Sequence, residues 1–296
     1  MNSITVAAAA KINLTLDVGA RREDGYHEIR SVMQTIALHD SLTVTRTLER
    51  PGVHLEVAGD EAAGVPADES NLVHRAAVRL QKVAAARSVI LGPQSGLHIR
   101  LEKQTPSRAG LGGGSSDAAA TLRAVNALFG LELSRQRLAT IGMELGADIP
   151  FFLTGGTALV EGLGECVTPL PPLTPPWPLM IVKPPVGVST AWAYRALDDI
   201  PERVPGQATA AWLDGHRNVQ NDFWSVANTV PEIAAVYHLM LHAAERERST
   251  PPLLCGSGSA LFCRLKTAAE GEKLEARVRH QGAGKVWLTQ TAGGEE

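Results

Sequence analysis

The chain has 296 residues, 44% of them hydrophobic and 20% charged, which fits about two domains or one large two-lobed unit and excludes disordered and collagen-like classes. A formal net charge of -3 leaves no excess of Lys and Arg to neutralise a nucleic-acid backbone, so no nucleic-acid partner is expected. Three irregularly spaced cysteines exclude a disulfide framework or zinc knuckle and fit a reducing compartment. Lys11 interrupts the apolar Ala7 to Ala10, and no apolar run reaches about 18 residues, so neither secretion nor a membrane span is expected and the location reads as cytoplasmic.

In chain order, residues 4–18 end in apolar/polar alternation, the period of a half-buried strand, which puts Lys11, Asn13 and Thr15 on one face. Alternation recurs at 35–46, 53–58 and 97–102, and the short links predict a mostly antiparallel sheet. Apolar residues at three- and four-residue intervals predict helices at 71–86, 115–129 and 134–145. Pro150 biases the residues before it away from helix, so Asp148 caps or follows the helix ending near Leu145. From 169 to 178 six of ten residues are proline, which reads as a connection between lobes or an exposed edge. A strand at 179–182 follows, then helical segments at 190–198, about 207–214, 220–228 and 231–246, and strand, helix, strand over 259–265, 267–280 and 284–290. The expected class is α+β in two lobes, residues 1–160 and 161–296, without internal repeats.

The segment with most chemistry is Gly110-Leu111-Gly112-Gly113-Gly114-Ser115-Ser116, which follows the strand at 97–102 and opens the helix at 115–129. Glycines without Cβ let successive backbone N–H groups converge on an anion, and the helix start adds unpaired donors and a positive dipole end, so phosphate is the natural guest. The loop is neither a P-loop, lacking Gly-Lys-Ser/Thr, nor a dinucleotide fingerprint, whose third glycine is replaced by Ser115. A plain turn before a helix capped by Ser115 or Ser116 is the alternative.

The stretch from Pro106 through Gly110 to Ala119 resembles the second motif of the GHMP kinase superfamily. Ala10-Lys11-Ile12-Asn13-Leu14, Asp24-Gly25-Tyr26-His27, Gly146-Ala147-Asp148-Ile149-Pro150 and Gly256-Ser257-Gly258-Ser259 narrow the resemblance to the 4-diphosphocytidyl-2-C-methyl-D-erythritol kinases of the non-mevalonate isoprenoid pathway. The resemblance implies a two-lobed GHMP-kinase fold, with an N-terminal lobe like the ribosomal protein S5 domain 2-like fold and a C-terminal α/β lobe. It implies ATP as co-substrate, Mg2+, the cytidyl alcohol as small-molecule substrate, and a monomer or homodimer. Asp148 becomes the carboxylate beside the substrate hydroxyl, Lys11 its cationic neighbour, and Asn13 a hydrogen-bond partner of the substrate. Tyr26, His27 and Tyr194 would grip the cytosine. Asn71 and Lys103 would border the adenine, with Pro106 and the glycine-serine loop on the phosphates. Asn71 reads equally as a helix N-cap. Ser115 and Ser116 are candidate oxygen donors to phosphate or magnesium, and no further metal ligand is assigned. Another small-alcohol kinase of the superfamily and a non-catalytic nucleotide sensor are the competing functions, and a cytosine site or ADP formation separates them.

Overall fold

The computed structural model describes residues 2–48, 50–86, 96–216, 219–247 and 250–294. The chain groups into two compact units, each assembled from separated stretches. The first comprises Met1–Ala10, Leu38–Ser107 and Gly112–Thr154, and the second Lys11–Ala37, Arg108–Leu111 and Gly155–Glu296. Two long strands, β1 (Ser3–Arg21) and β2 (His27–Thr47), contribute residues to both.

In the first unit, β2 pairs antiparallel with β4 (Gly96–Glu102) from Ser41 opposite Glu102 to Thr47 opposite Gly96, and β3 (Gly52–Ala58) runs parallel to β4 on its other side. Leu97, Ile99 and Leu101 of β4 are buried while His98 and Arg100 face solvent, as the period of two requires. Helix α1 (Leu72–Ala86) buries Val73, Ala76, Ala77, Leu80 and Ala84, the stripe of a 3.6-residue period. It packs on α2 (Gly113–Leu128), whose run of Ala118, Ala119 and Ala120 is fully buried. Ser134 caps α3 (Arg135–Met143), its side chain accepting from Arg137 N at 3.2 Å. Gly142 lets α3 approach α4 (Ile149–Thr154), for a Cβ there would lie 2.4 Å from Ile149 Cγ2. Asp148 follows α3 as expected; what is corrected is the bias before the proline, since Ile149 opens α4 with Pro150 next. The proline occupies the first turn of α4, where the missing N–H has no intrahelical partner to lose, and Asp148 immediately precedes that helix.

In the second unit, residues 29–34 of β2 pair antiparallel with β5 (Thr157–Gly162), and β5 with β6 (Cys166–Pro169). A second sheet has the order β11 (Lys285–Gln290), β7 (Pro178–Lys183), β10 (Leu261–Arg264), β9 (Leu253–Leu254), all antiparallel. Leu179 to Val182 of β7 form a continuous buried apolar run. Met180 and Val182 share a core with Val188, Leu197 of α5 (Thr190–Asp198), Phe223, and Ile233 and Met240 of α8 (Pro231–Glu247). Leu274 and Val278 of α9 (Ala268–His280) complete it. A short α6 (Ala208–Leu213) buries Trp212.

The proline-rich run joins β6 to β7 inside the second unit and does not separate the two units. Residues 220–228 are not one helix. They form β8 (Gln220–Asn221), parallel to β1 with Thr15 opposite Gln220, and a single turn, α7 (Trp224–Ala227). Asn221 makes the break, donating from Nδ2 to the carbonyls of Leu254 (3.0 Å) and Gly256 (2.7 Å) and accepting at Oδ1 from Phe223 N (3.0 Å). The α+β expectation holds. Among the described residues, β3–β4 and β1–β8 pair parallel, against the antiparallel pattern.

Candidate active site

The glycine-serine loop passes from the second unit to the first between Leu111 and Gly112. Gly112, at φ 70, precedes α2, and Ser116 N donates to Gly112 O at 2.9 Å to close the first helical turn. Leu111 is buried, Gly112, Gly113 and Ser115 are half-buried and Gly114 is exposed, leaving the loop's backbone partly open. Ser116 is buried and donates its hydroxyl proton to Ala9 O at 2.6 Å, so its oxygen keeps lone pairs for another partner. Pro106 is buried at the loop's entry.

Beneath the loop in the first unit lies a charged cluster that local periodicity does not reveal. Lys103 Nζ forms ion pairs with Asp40 Oδ2 and, at 2.7 Å, with Asp117 Oδ2. All three side chains are buried. Asp40 Oδ1 accepts from Gln104 N (2.6 Å) and Thr105 N (2.7 Å), tying the exit of β4 to β2. Asp117 Oδ1 and Thr105 Oγ1 are buried without a hydrogen-bond partner. Burial pushes the Asp117 carboxyl up to about 8 against the opposing pull of the Lys103 ammonium, with Asp40 adding to the rise. Lys103 is raised, burial working against the two carboxylates that hold its proton. A Cβ on Gly113 would stand 3.0 Å from Thr105 Cγ2 and 3.3 Å from Lys103 Nζ, so the cluster lies directly under the loop. Asn71 accepts at Oδ1 from Val73 N (2.9 Å) and donates from Nδ2 to Pro66 O (2.7 Å), which is the N-cap arrangement for α1.

In the second unit, Lys11 N donates to Leu111 O at 3.0 Å, fastening β1 to the loop. Lys11 Nζ donates to Asn13 Oδ1 at 2.6 Å, and both side chains are buried, on the shared strand face expected of them. Gly110, at φ 77, is obligatory, because a Cβ would stand 1.7 Å from Cys255 O. The turn at 256–259 closes on this part of the loop through Ser259 N to Arg108 O (3.3 Å) and Ala260 N to Ala109 O (3.2 Å). A Cβ on Gly256 would lie 3.2 Å from Lys11 Nζ.

Tyr26 and His27 follow the turn at Gly25 (φ 85), where Tyr26 N donates to Asp24 Oδ1 at 3.1 Å. That backbone hydrogen bond, opposed by desolvation and assisted by Arg22, holds Asp24 below the usual carboxylate range. Tyr26 is 64% exposed, whereas His27 is buried and stacks on Tyr194 with centroids 5.1 Å apart. Tyr194 meets Phe223 edge-on at 4.9 Å. Both imidazole nitrogens of His27 have protein neighbours, Nδ1 the Gly19 carbonyl (3.0 Å) and Nε2 Asp198 Oδ1 (3.2 Å). The ring is therefore held by protein on both sides of its plane edge. A separate cavity of about 540 Å³, lined by Arg203, Asp222, Trp224, Tyr237 and Leu254, contains none of these residues.

Residues 71–156 match the family described as GHMP kinases N terminal domain. The chain is 44% identical over 285 residues, 92% of each chain, to the 4-diphosphocytidyl-2-C-methyl-D-erythritol kinase of Moorella thermoacetica. It is 47% identical to the protein of the same name from Heliobacterium modesticaldum, covering 93% of this chain and 90% of that one. A crystal structure of a 4-(cytidine 5'-diphospho)-2C-methyl-D-erythritol kinase aligns at a TM-score of 0.77 with 33% identity, over 98% of this chain and 100% of the other. Homoserine kinase from Cytophaga hutchinsonii aligns at 0.72 with 20% identity, over 100% and 96% of the two chains, and shares the fold.

Proposed function

The chain belongs to the 4-diphosphocytidyl-2-C-methyl-D-erythritol kinases, and on that premise we propose that Lys11 and Asp148 carry out its chemistry, the ATP-dependent phosphorylation of the substrate's 2-hydroxyl. The product is an isoprenoid precursor of the non-mevalonate pathway. As the substrate's name states, carbon 2 bears a methyl group as well as the hydroxyl, so the nucleophile is a tertiary alcohol. Orientation then matters more than basicity.

In the proposed step the 2-oxygen forms a bond to the γ-phosphorus of ATP while the bond from that phosphorus to the β,γ-bridging oxygen breaks, and ADP leaves with the electron pair. Asp148 receives the hydroxyl proton, and Lys11 offsets negative charge on the transferring group. The backbone N–H groups of 110–116 hold the phosphates. The Ser115 and Ser116 hydroxyls, hard oxygen donors, would hold Mg2+ if it binds with the nucleotide, where it would supply charge neutralisation at the phosphates. Tyr26 and Tyr194 take the two faces of the cytosine, beside His27. Asn71 and Lys103 border the adenine by shape, since their polar atoms are already held by Val73, Pro66, Asp40 and Asp117. No helix among the described residues is long and apolar enough to cross a membrane, and a cytoplasmic location completes the proposal.

The observation that best supports these roles is the 3.0 Å bond from Lys11 N to Leu111 O, which ties the lysine's strand to the phosphate loop. ADP release measured with the cytidyl alcohol, homoserine and mevalonate tests the proposal. Turnover is expected with the first alone, lost in Lys11→Met and reduced about 10²- to 10⁴-fold in Asp148→Asn. Unchanged turnover in either variant would remove that residue from the mechanism.

A further inference from the structure

Lys11 is oriented by a hydrogen-bond chain whose far members belong to no motif. An ammonium has donors only, so the oxygen of the Asn13 amide must face it, as the 2.6 Å contact to Oδ1 records. The amide nitrogen is then turned the other way, where Nδ2 donates to Ser31 Oγ at 2.8 Å. Having accepted that hydrogen, Ser31 gives its own to Thr15 O at 2.6 Å. Only one arrangement of protons satisfies all three contacts. Asn13 and Ser31 are fully buried and Lys11 is 4% exposed, so water does not compete for these groups.

The frame around Ser31 is equally determined. Val32 N donates to Thr15 Oγ1 at 2.9 Å. Thr209 Oγ1 donates to Arg30 O at 2.9 Å, so the proton of the 2.8 Å contact between Thr15 and Thr209 comes from Thr15. The residues on either side of Ser31 are thus pinned to β1 and to α6.

We propose that Ser31 is a positioning residue for Lys11, its hydroxyl holding the Asn13 amide in the single orientation that presents Oδ1 to the ammonium. Without that hydroxyl the amide can turn over and place its NH2 group against Lys11, which repels it. Asn13 accordingly serves Lys11 first and the substrate only with its remaining Nδ2 hydrogen and Oδ1 lone pair. The inference rests on the proposed role of Lys11.

Steady-state kinetics of Ser31→Ala test it, alone and combined with Asn13→Ala or Lys11→Met. Ser31→Ala should lower kcat about 10-fold and leave KM for ATP within about 2-fold, since Lys11 acts on charge that develops in transfer. In the Asn13→Ala background the same change should have no further effect, because nothing remains for Ser31 to orient. A merely structural role would lower Tm and cost the same factor in both backgrounds, and that result overturns the inference. Should Ser31→Ala fail to fold, Ser31→Cys fills the same space with a weak hydrogen-bonding group and is expected to show the same kcat loss. Lys11→Met separates the two levels of argument. If it retains turnover, the role of Lys11 fails; if it abolishes turnover while Ser31→Ala matches the unaltered protein, the positioning role alone fails.

Discussion

Lys103 Nζ and Asp117 Oδ2 lie 2.7 Å apart between two buried side chains, and the second carboxyl oxygen, Asp117 Oδ1, has no hydrogen-bond partner. Asp40 also pairs with Lys103, so two carboxylates share one ammonium. Burial then favours the protonated form of Asp117, whose folded-state value rises from 3.8 to about 8. The folded protein keeps a proton that the unfolded chain releases. This contribution to stability is complete below pH 3.8 and is lost as pH rises through about 8. Asp117→Asn keeps an acceptor for Lys103 and removes the titration. Melting temperatures between pH 5 and about 8.5 should show the variant gaining on the unaltered protein as pH rises. A difference that is constant across the range would contradict the assignment.

Asp40 carries more of the structure than Asp117, because it satisfies two backbone N–H groups as well as the ammonium. Asp40→Ala leaves those two buried donors unpaired and Lys103 with Asp117 alone, and should cost about 3–5 kcal/mol in urea unfolding. A loss below about 1 kcal/mol would mean that water replaces the carboxylate.

Gly110→Ala tests the close approach of the loop to Cys255. The added Cβ would stand 1.7 Å from the Cys255 carbonyl oxygen, at a φ of 77 that favours glycine. The loop must move, so KM for ATP should rise about 10-fold or more as the phosphate donors lose alignment. Binding of ATP followed by calorimetry separates this from a loss confined to the chemical step.

Tyr26→Ala separates binding from folding. A side chain 64% exposed contributes little to stability, and the change in unfolding free energy should stay within about 0.5 kcal/mol. If the ring stacks on the cytosine, KM for the cytidyl substrate should rise about 10-fold or more while KM for ATP is unchanged. Equal KM values for both substrates in variant and parent would exclude the stacking role.

What was legible in the sequence was local. Apolar periods announced α1, α2, β4 and β7, and the alternation before Asp17 put Lys11 and Asn13 on one strand face, where they are found bonded. The glycine loop announced itself by composition. What was hidden depends on residues far apart in the chain: Asp40 and Lys103 are 63 positions apart and Asn13 and Ser31 18. No period links such pairs. β5 and β6 are short and escape periodicity, and the break at Asn221 comes from a side chain that binds the carbonyls of Leu254 and Gly256. α4 is not legible because a proline in a first helical turn and one that ends a helix look alike without the neighbouring turn. Asp117 is the cluster's one local sequence signal, a charge in a helix start otherwise built of small residues.

Phosphorus NMR of the reaction product tests the assigned chemistry most directly. Carbon 2 of the substrate carries no hydrogen, so a phosphate on its oxygen has no three-bond proton coupling. Incubation with ATP, Mg2+ and 4-diphosphocytidyl-2-C-methyl-D-erythritol should yield ADP and, in equal amount, a new phosphomonoester line that stays single without proton decoupling. A line split by protons would place the phosphoryl group on a primary or secondary hydroxyl, and it, or the absence of any new monoester, would contradict phosphorylation at the 2-hydroxyl.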